Sequence, residues 1–285
     1  MGEFTNKIDF AVLVTVHKAN PNGDPLNGNR PREDYEGLGE ISDVCIKRKI
    51  RNRLQDMGER IFVQSADRCD DGAKSLADRA EKNEGLKEAK KDKNSNNYAQ
   101  IACKTWIDVR SFGQVFAFKA DNVSVGVRGP VSIQTAESVD PIDISTMQIT
   151  KSVNSETKDD GKKSSDTMGS KNRVEFGLYV IRGSINHQLA QKTGFSDEDA
   201  EKIKEALLTL FENDSSSARP DGSMEVKKLF WWRHDCENGQ YSSARVQRTL
   251  IIRAKDGIDN PRAFEDYVIE HEDLQGLIPE IMEGR

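Results

Sequence analysis

Strict alternation of apolar and other residues is the first clear pattern in the chain. Apolar side chains occupy every second position from Ile8 to Val16, and β-branched residues dominate the run. This pattern is typical of a strand. It ends in a stretch crowded with Asn, Pro, Gly and Asp between Asn20 and Pro31. Such residues favour turns, so the pattern predicts a strand followed by a long polar loop.

A helix is predicted next, because the apolar spacing changes. Ser42 is a preferred N-cap residue, and Asp43 places a carboxylate in the first turn, where it suits the helix dipole. Apolar residues then recur every three or four positions from Ile46 to Met57. A second helix is predicted after Ser196, where Asp199 lies at the position of a capping-box acid and an apolar stripe follows.

Further strands are predicted in the second half of the chain. Residues 142–150 and 174–185 alternate on either side of a polar segment, 152–172, which predicts a long hairpin with a mobile tip. Residues 123–134 resemble strand material interrupted at Gly129-Pro130, and 226–232 and 246–252 are predicted as strands. Without the insertions, the order is strand, helix, strand, strand, helix, strand. The predicted fold class is α+β, with a ferredoxin-like frame that RNA-recognition domains also use.

Four segments remain. Residues 67–93 hold eight acids and eight bases, which favours either a solvated helical insertion or partial disorder. A short helix is predicted over 101–109, and another within the acidic end of the chain. Gly2-Glu3-Phe4 resembles a cloning remnant, so the fold prediction leaves it out.

Charge constrains the function. The chain has 42 Lys and Arg against 48 Asp and Glu, a net charge of −6, and a mean hydropathy of −0.70. A simple nucleic-acid binder is usually strongly basic. Residues 256–285 hold nine acids and two bases, so the remainder carries a net +1. Any anion-binding face must therefore come from a local cluster.

Localisation and cofactors follow from what the sequence lacks. No apolar run reaches the length of a membrane span, and no signal peptide is visible. The four cysteines are far apart and form no CxxC pair, which favours reduced thiols and no structural metal. We expect a cytoplasmic chain without a metal or cofactor.

The strongest local charge signal lies on the first predicted helix. Lys47, Arg48 and Arg51 fall on one arc beside the apolar stripe, with Lys49 and Arg53 on the other side. Three cations on one arc could bind a line of phosphates while the helix stays packed. A solvated helix face is an equally good interpretation.

Two loops and one strand offer weaker candidates. The Asn20–Arg30 loop could wrap a nucleic-acid backbone, although an ordinary surface connection explains it as well. The Lys162-Lys163 tip and the return at 171–173 are similar candidates. Phe230, Trp231 and Trp232 could stack bases, but a buried strand is the simpler interpretation.

Catalytic signals are few. The chain contains no P-loop, no G-x-S-x-G elbow and no HExxH motif, and its four histidines have no obvious partner in sequence. Asp24 is the one candidate for a metal-binding or catalytic acid, and a turn-forming aspartate is the favoured interpretation.

Four motifs taken together resemble a known family. They are HKANPNGDPLNGNRPR, ISDVCIKRKIRNRL, DVRSFGQVFAF, and GPVSIQ with MQITKSVN and FGLYVIRGSIN. In this order they resemble the CRISPR RNA-binding backbone subunit of type I Cascade complexes, in the RAMP superfamily, and most of all its type I-C branch. The resemblance covers most of residues 5–252.

The resemblance implies an architecture of palm, fingers and thumb. A discontinuous RNA-recognition-like palm would comprise 5–20, 41–58, 120–140 and 174–252. Finger insertions would span 21–40 and 59–119, a thumb hairpin 141–173, and an acidic tail 253–285. Copies would assemble head to tail along the CRISPR guide RNA, beside the large and cap subunits of Cascade. Guide bases would stay free to pair with target DNA.

The resemblance also implies site residues. Ser42, Lys47, Arg48 and Arg51 match the basic helix that lines the guide, and Asn20, Asn22 and Arg30 match the loop after the first strand. Lys151, Ser152, Lys171 and Arg173 match the thumb base. Phe112 and Gly113 match a family motif, but Gln114 stands where some relatives carry Arg.

The predicted function is a non-enzymatic RNA-binding scaffold that assembles with itself. One alternative is a metal-dependent endoribonuclease using Asp24, although Asp24 does not lie in the motif of the cleaving type III relatives. A second alternative is a protein-interaction module whose basic helix meets an acidic partner, such as its own tail.

Overall fold

The computed structural model describes residues 2–117, 124–150 and 168–285. They form a mixed α+β fold built on a large antiparallel sheet. In chain order the elements are β1 (Ile8–Ala19), β2 (Gly23–Asp24), β3 (Arg30–Pro31), β4 (Leu38–Ile41), α1 (Asp43–Asp56), α2 (Leu76–Lys82), α3 (Glu84–Lys91), α4 (Ser95–Thr105), α5 (Ile107–Phe112), β5 (Gly113–Phe116), β6 (Val125–Arg128), β7 (Val131–Ile133), β8 (Ala136–Pro141), β9 (Ile144–Thr150), β10 (Met168–Ile185), α6 (His187–Thr193), α7 (Asp197–Leu208), β11 (Met224–Arg233), α8 (Ser243–Arg248), β12 (Leu250–Ala254), β13 (Tyr267–His271) and β14 (Glu280–Glu283).

The predicted first strand lies at the centre of the sheet. The strand order is β14-β11-β1-β10-β8-β4, and β7 and β9 also pair with β10. Strand β1 is antiparallel to both β10 and β11. The predicted hairpin is confirmed in β9 and β10, which pair from Ile144 with Val174 to Thr150 with Met168. Residues 168–172 therefore belong to β10 and not to the irregular segment in which they were predicted. The rest of the expected mobile tip, 152–167, lies outside the described residues.

Both faces of the central strand are buried, which the alternation alone did not reveal. Phe10, Val12 and Val14 belong to one core, against α1 and α7, which we call the main core. Ala11 and Leu13 belong to a second core on the other face. The alternating partners of the apolar stripe are small or apolar themselves, so they also fit against a packed layer. Nucleic acid therefore has no open sheet face over β1 in the described part of the chain.

The second core is closed by the end of the chain, where the prediction of a helix is wrong. Within 253–285 the structure has β13, β14 and a single 3₁₀ turn, Phe264–Asp266. Tyr267 and Leu277 from this segment are buried against Phe230 and Trp232. Each strand forms by pairing with an earlier part of the chain: β13 pairs with β12, and β14 with β11. The acidic composition therefore describes the outer surface of a packed layer.

Of two further strand predictions, one needs correction and one is confirmed. The strand predicted over 246–252 is split, because Ser242 accepts a hydrogen bond from the Arg245 amide at 3.4 Å and caps α8, which extends to Arg248. The interpretation of Phe230, Trp231 and Trp232 as core is confirmed, since each is at most 2% exposed.

The insertion after α1, predicted over residues 59–119, contains helices and has a core of its own. Of the two interpretations of residues 67–93, the helical one is confirmed in α2 and α3. Phe62, Tyr98, Trp106 and Phe116 form the centre of this separate core. The helix predicted over 101–109 is two helices, because the backbone is extended at Trp106 between α4 and α5.

The exclusion of Gly2-Glu3-Phe4 from the fold was wrong. Phe4 is 1% exposed in the main core, where its ring packs edge-on against Phe195 at 5.6 Å. The Phe4 carbonyl also contacts His187 Nδ1 at 2.8 Å. A large apolar side chain in contact with this core is stabilising whatever its origin.

Candidate nucleic-acid interface

The loop after β1 is a tight hairpin of β2 and β3. Gly28 and Asn29 both have φ of 57°, the left-handed conformation that reverses the chain. The buried Asn20 donates from Nδ2 to the Asn29 carbonyl at 2.6 Å. At Gly23 a Cβ atom would lie 2.1 Å from Asn29 Oδ1, so a larger residue there would displace the Asn29 side chain. The loop therefore has a defined shape before any ligand binds.

The same loop is attached to the start of α1. Asn22 Oδ1 accepts a hydrogen bond from the Ser42 amide at 2.9 Å, and Ser42 Oγ accepts one from the Cys45 amide at 3.4 Å. The prediction of Ser42 as the N-cap is confirmed. Asn20, Asn22 and Ser42 thus come together through backbone contacts, and each has a structural role in the free chain.

The base of the β9–β10 hairpin completes this surface. Asn172 donates from Nδ2 to the Gly28 carbonyl at 3.3 Å and accepts from Thr146 Oγ1 at 2.7 Å. Hydrogen bonds therefore join the loop, the start of α1 and the hairpin base into one polar region. We call this region the loop groove: Asn20, Asn22, Gly28, Arg30, Ser42 and Asn172.

Lys171 and Arg173 lie on the opposite face of the hairpin from Asn172. They pair across the strands with Met147 and Ser145, whereas Asn172 pairs with Thr146. Successive side chains of a strand point to opposite faces. Arg173 Nε donates to Glu175 Oε1 at 3.1 Å. The structure therefore does not bring these two cations into the loop groove. Lys151 and Ser152, predicted beside them, lie outside the described residues.

The cations of α1 have acidic partners that the sequence did not reveal. Lys47 pairs with Asp43 at 3.0 Å, one helical turn away, as local spacing allows. The other acids come from distant segments. Arg51 Nε contacts Asp108 at 3.0 Å, Arg53 contacts Glu212 at 2.5 Å, and Lys49 pairs with Asp214.

Arg48 faces the helical insertion. It donates to the Val63 carbonyl at 2.6 Å. Burial, together with the nearby charge of Arg51, lowers the pKa of the Arg48 guanidinium. Of the three cations on the predicted arc, Lys47 is thus partly exposed and paired with Asp43, while Arg48 and Arg51 contact the insertion. Whether any of them binds RNA stays a prediction.

Sequence reasoning missed two arginines near the loop groove. Arg32 lies 3.4 Å from Asp24, and Arg219 Nε lies 3.1 Å from Asp214, next to Lys49. Arg32 follows the predicted loop by two residues and could have been included. Arg219 could not, because its loop is brought here by contacts between distant parts of the chain, such as the hydrogen bond from the Asn20 amide to the Ala218 carbonyl.

The Asp24 carboxylate has a local structural role. Its Oδ1 accepts a hydrogen bond from the Leu26 amide at 3.1 Å and caps the short 3₁₀ turn Pro25–Asn27. Across residues 2–117, 124–150 and 168–285, no three His, Cys, Asp or Glu side chains gather where they could hold a metal ion. In the same ranges no helix is long and apolar enough to cross a membrane.

The chain is similar in sequence to a curated protein and matches solved structures at low identity. A relative from Haloferax volcanii, described as CRISPR-associated protein Cas7, is 24% identical over 285 aligned residues, covering 94% of this chain and 82% of the relative. A solved structure described as a CRISPR RNA-guided surveillance complex, pre-nicking, has a TM-score of 0.49 and 17% identity, covering 85% of this chain and 84% of that one. A second, described as a CRISPR RNA-guided surveillance complex, has a TM-score of 0.47 and 16% identity, covering 89% and 78%.

The sequence match extends through the sheet, the loop groove and the insertion. The chain is a CRISPR-associated protein. The family model described as CRISPR-associated protein Cas7 matches residues 6–272, and the chain belongs to this family.

Proposed function

We propose that this chain is the guide-RNA-binding backbone subunit of a type I-C Cascade complex. Copies assemble head to tail along the CRISPR RNA in the cytoplasm, beside a large and a cap subunit. The guide bases remain free to pair with target DNA. The observation that carries this proposal is membership of the Cas7 family over residues 6–272.

The palm in this proposal is the ferredoxin-like frame. Four strands in the order β11-β1-β10-β7 support it, because this is the strand order of a β-α-β-β-α-β unit with antiparallel neighbours. Helices α1 and α7 occupy the two helix positions. The fingers are 21–40 and 59–119, and the thumb is 141–173.

The loop groove is the part of the surface that best suits a sugar-phosphate backbone. It presents amide and hydroxyl groups together with the half-exposed Arg30, which is 3.6 Å from Glu33. Contacts of this kind fix the register of a nucleic acid without reading its bases. Lys47 extends the groove by one turn of α1. Lys171, Arg173, Lys151 and Ser152 would bind a different part of the guide, on the other face of the hairpin.

A scaffold without catalytic activity agrees with the role of Asp24 as a helix cap. Its Oδ1 accepts hydrogen bonds from the Leu26 amide and from Arg32, which favours a structural role for this carboxylate. Magnesium-dependent cleavage of bound RNA that disappears in Asp24→Ala would contradict the scaffold proposal.

The test is co-purification with guide RNA. The chain is expressed with and without a matching CRISPR array, and with the large and cap subunits, and its mass is measured by light scattering. We expect a large particle that holds uniform, array-derived RNA. RNA-free monomer in the presence of array and partner subunits would contradict the proposal.

A further inference from the structure

The carboxylate of Asp108 receives hydrogen bonds from three directions. It is fully buried in α5. Its Oδ1 accepts from the Phe62 amide at 2.7 Å, and its Oδ2 accepts from the Val63 amide at 3.0 Å and from Arg51 Nε at 3.0 Å. These donors stabilise the buried carboxylate, and the loss of any one of them is costly.

These donors belong to two different parts of the fold, α1 and the insertion. Arg51 lies on α1, which packs in the main core, whereas Phe62 begins the separate core of the insertion. Asp108 lies where the insertion returns to the sheet. One carboxylate therefore ties both ends of the insertion to α1. The Phe112 ring, with its centroid 5.0 Å from the Arg51 guanidinium, holds Arg51 from a further side.

Other contacts between the insertion and its surroundings are also ionic. Arg110 contacts Asp199 at 2.7 Å, and Lys202 contacts Glu59 at 2.9 Å. Each of these pairs joins two side chains. Asp199 also accepts a hydrogen bond from the backbone, but from the Ser196 amide only three residues away, whereas Asp108 holds the Phe62 and Val63 amides, 46 and 45 residues away. Its loss would leave two amides and a guanidinium unsatisfied.

We propose that Asp108 is the positioning residue that fixes the 59–119 insertion on α1, and that Arg51 contributes to guide binding through Asp108 and not by contact with a phosphate. The first half concerns the free chain. The second half rests on the proposed function.

Hydrogen exchange measured on the free chain tests the first half of the proposal, the positioning role of Asp108. Asp108→Asn keeps the size of the side chain but replaces one acceptor oxygen with a donor amide. We expect the Phe62 and Val63 amides to exchange about tenfold faster or more, because a charge-assisted hydrogen bond is lost. The matched control is Lys47→Ala, a cation one turn away on α1 that pairs with Asp43, and it should leave both amides unchanged. Unchanged exchange in Asp108→Asn would overturn the proposal.

Salt dependence of RNA binding tests the second half. A residue that neutralises one phosphate contributes about one to the slope of log affinity against log salt. We expect Arg51→Ala and Asp108→Asn to weaken binding of a repeat-spacer RNA without changing this slope, and the double variant to be no weaker than either single one. Arg51→Lys should restore part of the affinity. A slope lowered by about one in Arg51→Ala, with Asp108→Asn binding normally, would overturn it.

The two arms also separate this inference from the proposed function. If the wild-type chain binds no guide RNA, the proposed function fails, and the exchange measurement still decides the role of Asp108. Should Asp108→Asn not fold, Arg51→Met replaces it, because Asp108 then keeps its two amide donors. Faster exchange at Phe62 and Val63 supports the proposal, and unchanged exchange contradicts it.

Discussion

The environment of each cation on α1 decides what it can do, although all belong to one run of sequence. Lys47 pairs with Asp43 in a solvent-accessible position, whereas Lys49 is only 4% exposed beside Asp214. Helical periodicity could place them on arcs, and it did so correctly. It could not reveal Asp108, Asp214 or Glu212, because these partners lie 57 to 165 residues away.

Lys47 is the cation of this helix best placed for an RNA phosphate. We expect Lys47→Ala to lower guide affinity similarly for all sequences and to lower the salt slope by about one. Filter binding over a salt series measures both. Lys47→Arg, which keeps the charge, is the control. A change in sequence preference would contradict a contact with the RNA backbone.

A buried pair at the start of β1 makes stability depend on pH. Burial alone would raise the pKa of Asp9, but the hydrogen bond from His234, the nearby Ser243 side chain and the charge of Lys7 outweigh it, so the pKa lies below its ordinary value. Asp9 Oδ2 is 2.9 Å from His234 Nε2. A lowered pKa means that the carboxylate stabilises the fold above the ordinary value of about 4 and that this contribution is lost as the pH falls further.

We therefore expect Asp9→Asn to lower the free energy of unfolding by about 3 kcal/mol at pH 7, as for other broken buried pairs. The difference from wild type should shrink below about pH 4. Urea unfolding at several pH values measures it. Asp273→Asn, at an exposed carboxylate 3.2 Å from His271, is the control and should have little effect. An Asp9→Asn deficit that is the same at pH 3 and pH 7 would refute the argument.

At the scale of elements, capping residues and apolar periodicity predicted the helices and strands that local contacts stabilise. The capping box at Ser196 and Asp199 is present, with both reciprocal hydrogen bonds formed. Strand β1, helix α1 and the β9–β10 hairpin follow their periodicity. The strands at the end of the chain were missed because acidic side chains on their outer face hide the apolar residues that pack inward. Only the remote partner strands explain them.

The outer part of the β9–β10 hairpin should be separable from the fold. Met147 and Ile149 are substantially exposed, and the hairpin joins the main core near Val174. We expect deletion of residues 155–168 to leave the midpoint of thermal unfolding nearly unchanged, because no core side chain among the described residues is removed. In the assembled complex the regular geometry of the guide should be disturbed, and nuclease footprinting measures that. A chain that no longer folds would show that the segment is part of the core.

At the scale of the molecule, all three tryptophans are in cores. Trp106, Trp231 and Trp232 are 4%, 2% and 1% exposed. A sheet with both faces covered cannot stack bases on its aromatic residues as an open RNA-recognition sheet does. We expect the tryptophan emission to resist acrylamide quenching and to change little when guide RNA binds. Strong quenching by RNA would mean that bases reach Phe230 and Trp232 and that the second core opens.

The layer formed by the end of the chain also separates charge in space. Residues 256–285 carry nine acids and two bases, and this segment closes the sheet on the side away from α1. The molecule is therefore an electric dipole with its negative end over the second core. A protein with such a dipole is turned by the electric field of a polyanion before the two molecules make contact. RNA would then approach from the side away from the second core, and in the proposed assembly copies along one strand would all be turned the same way.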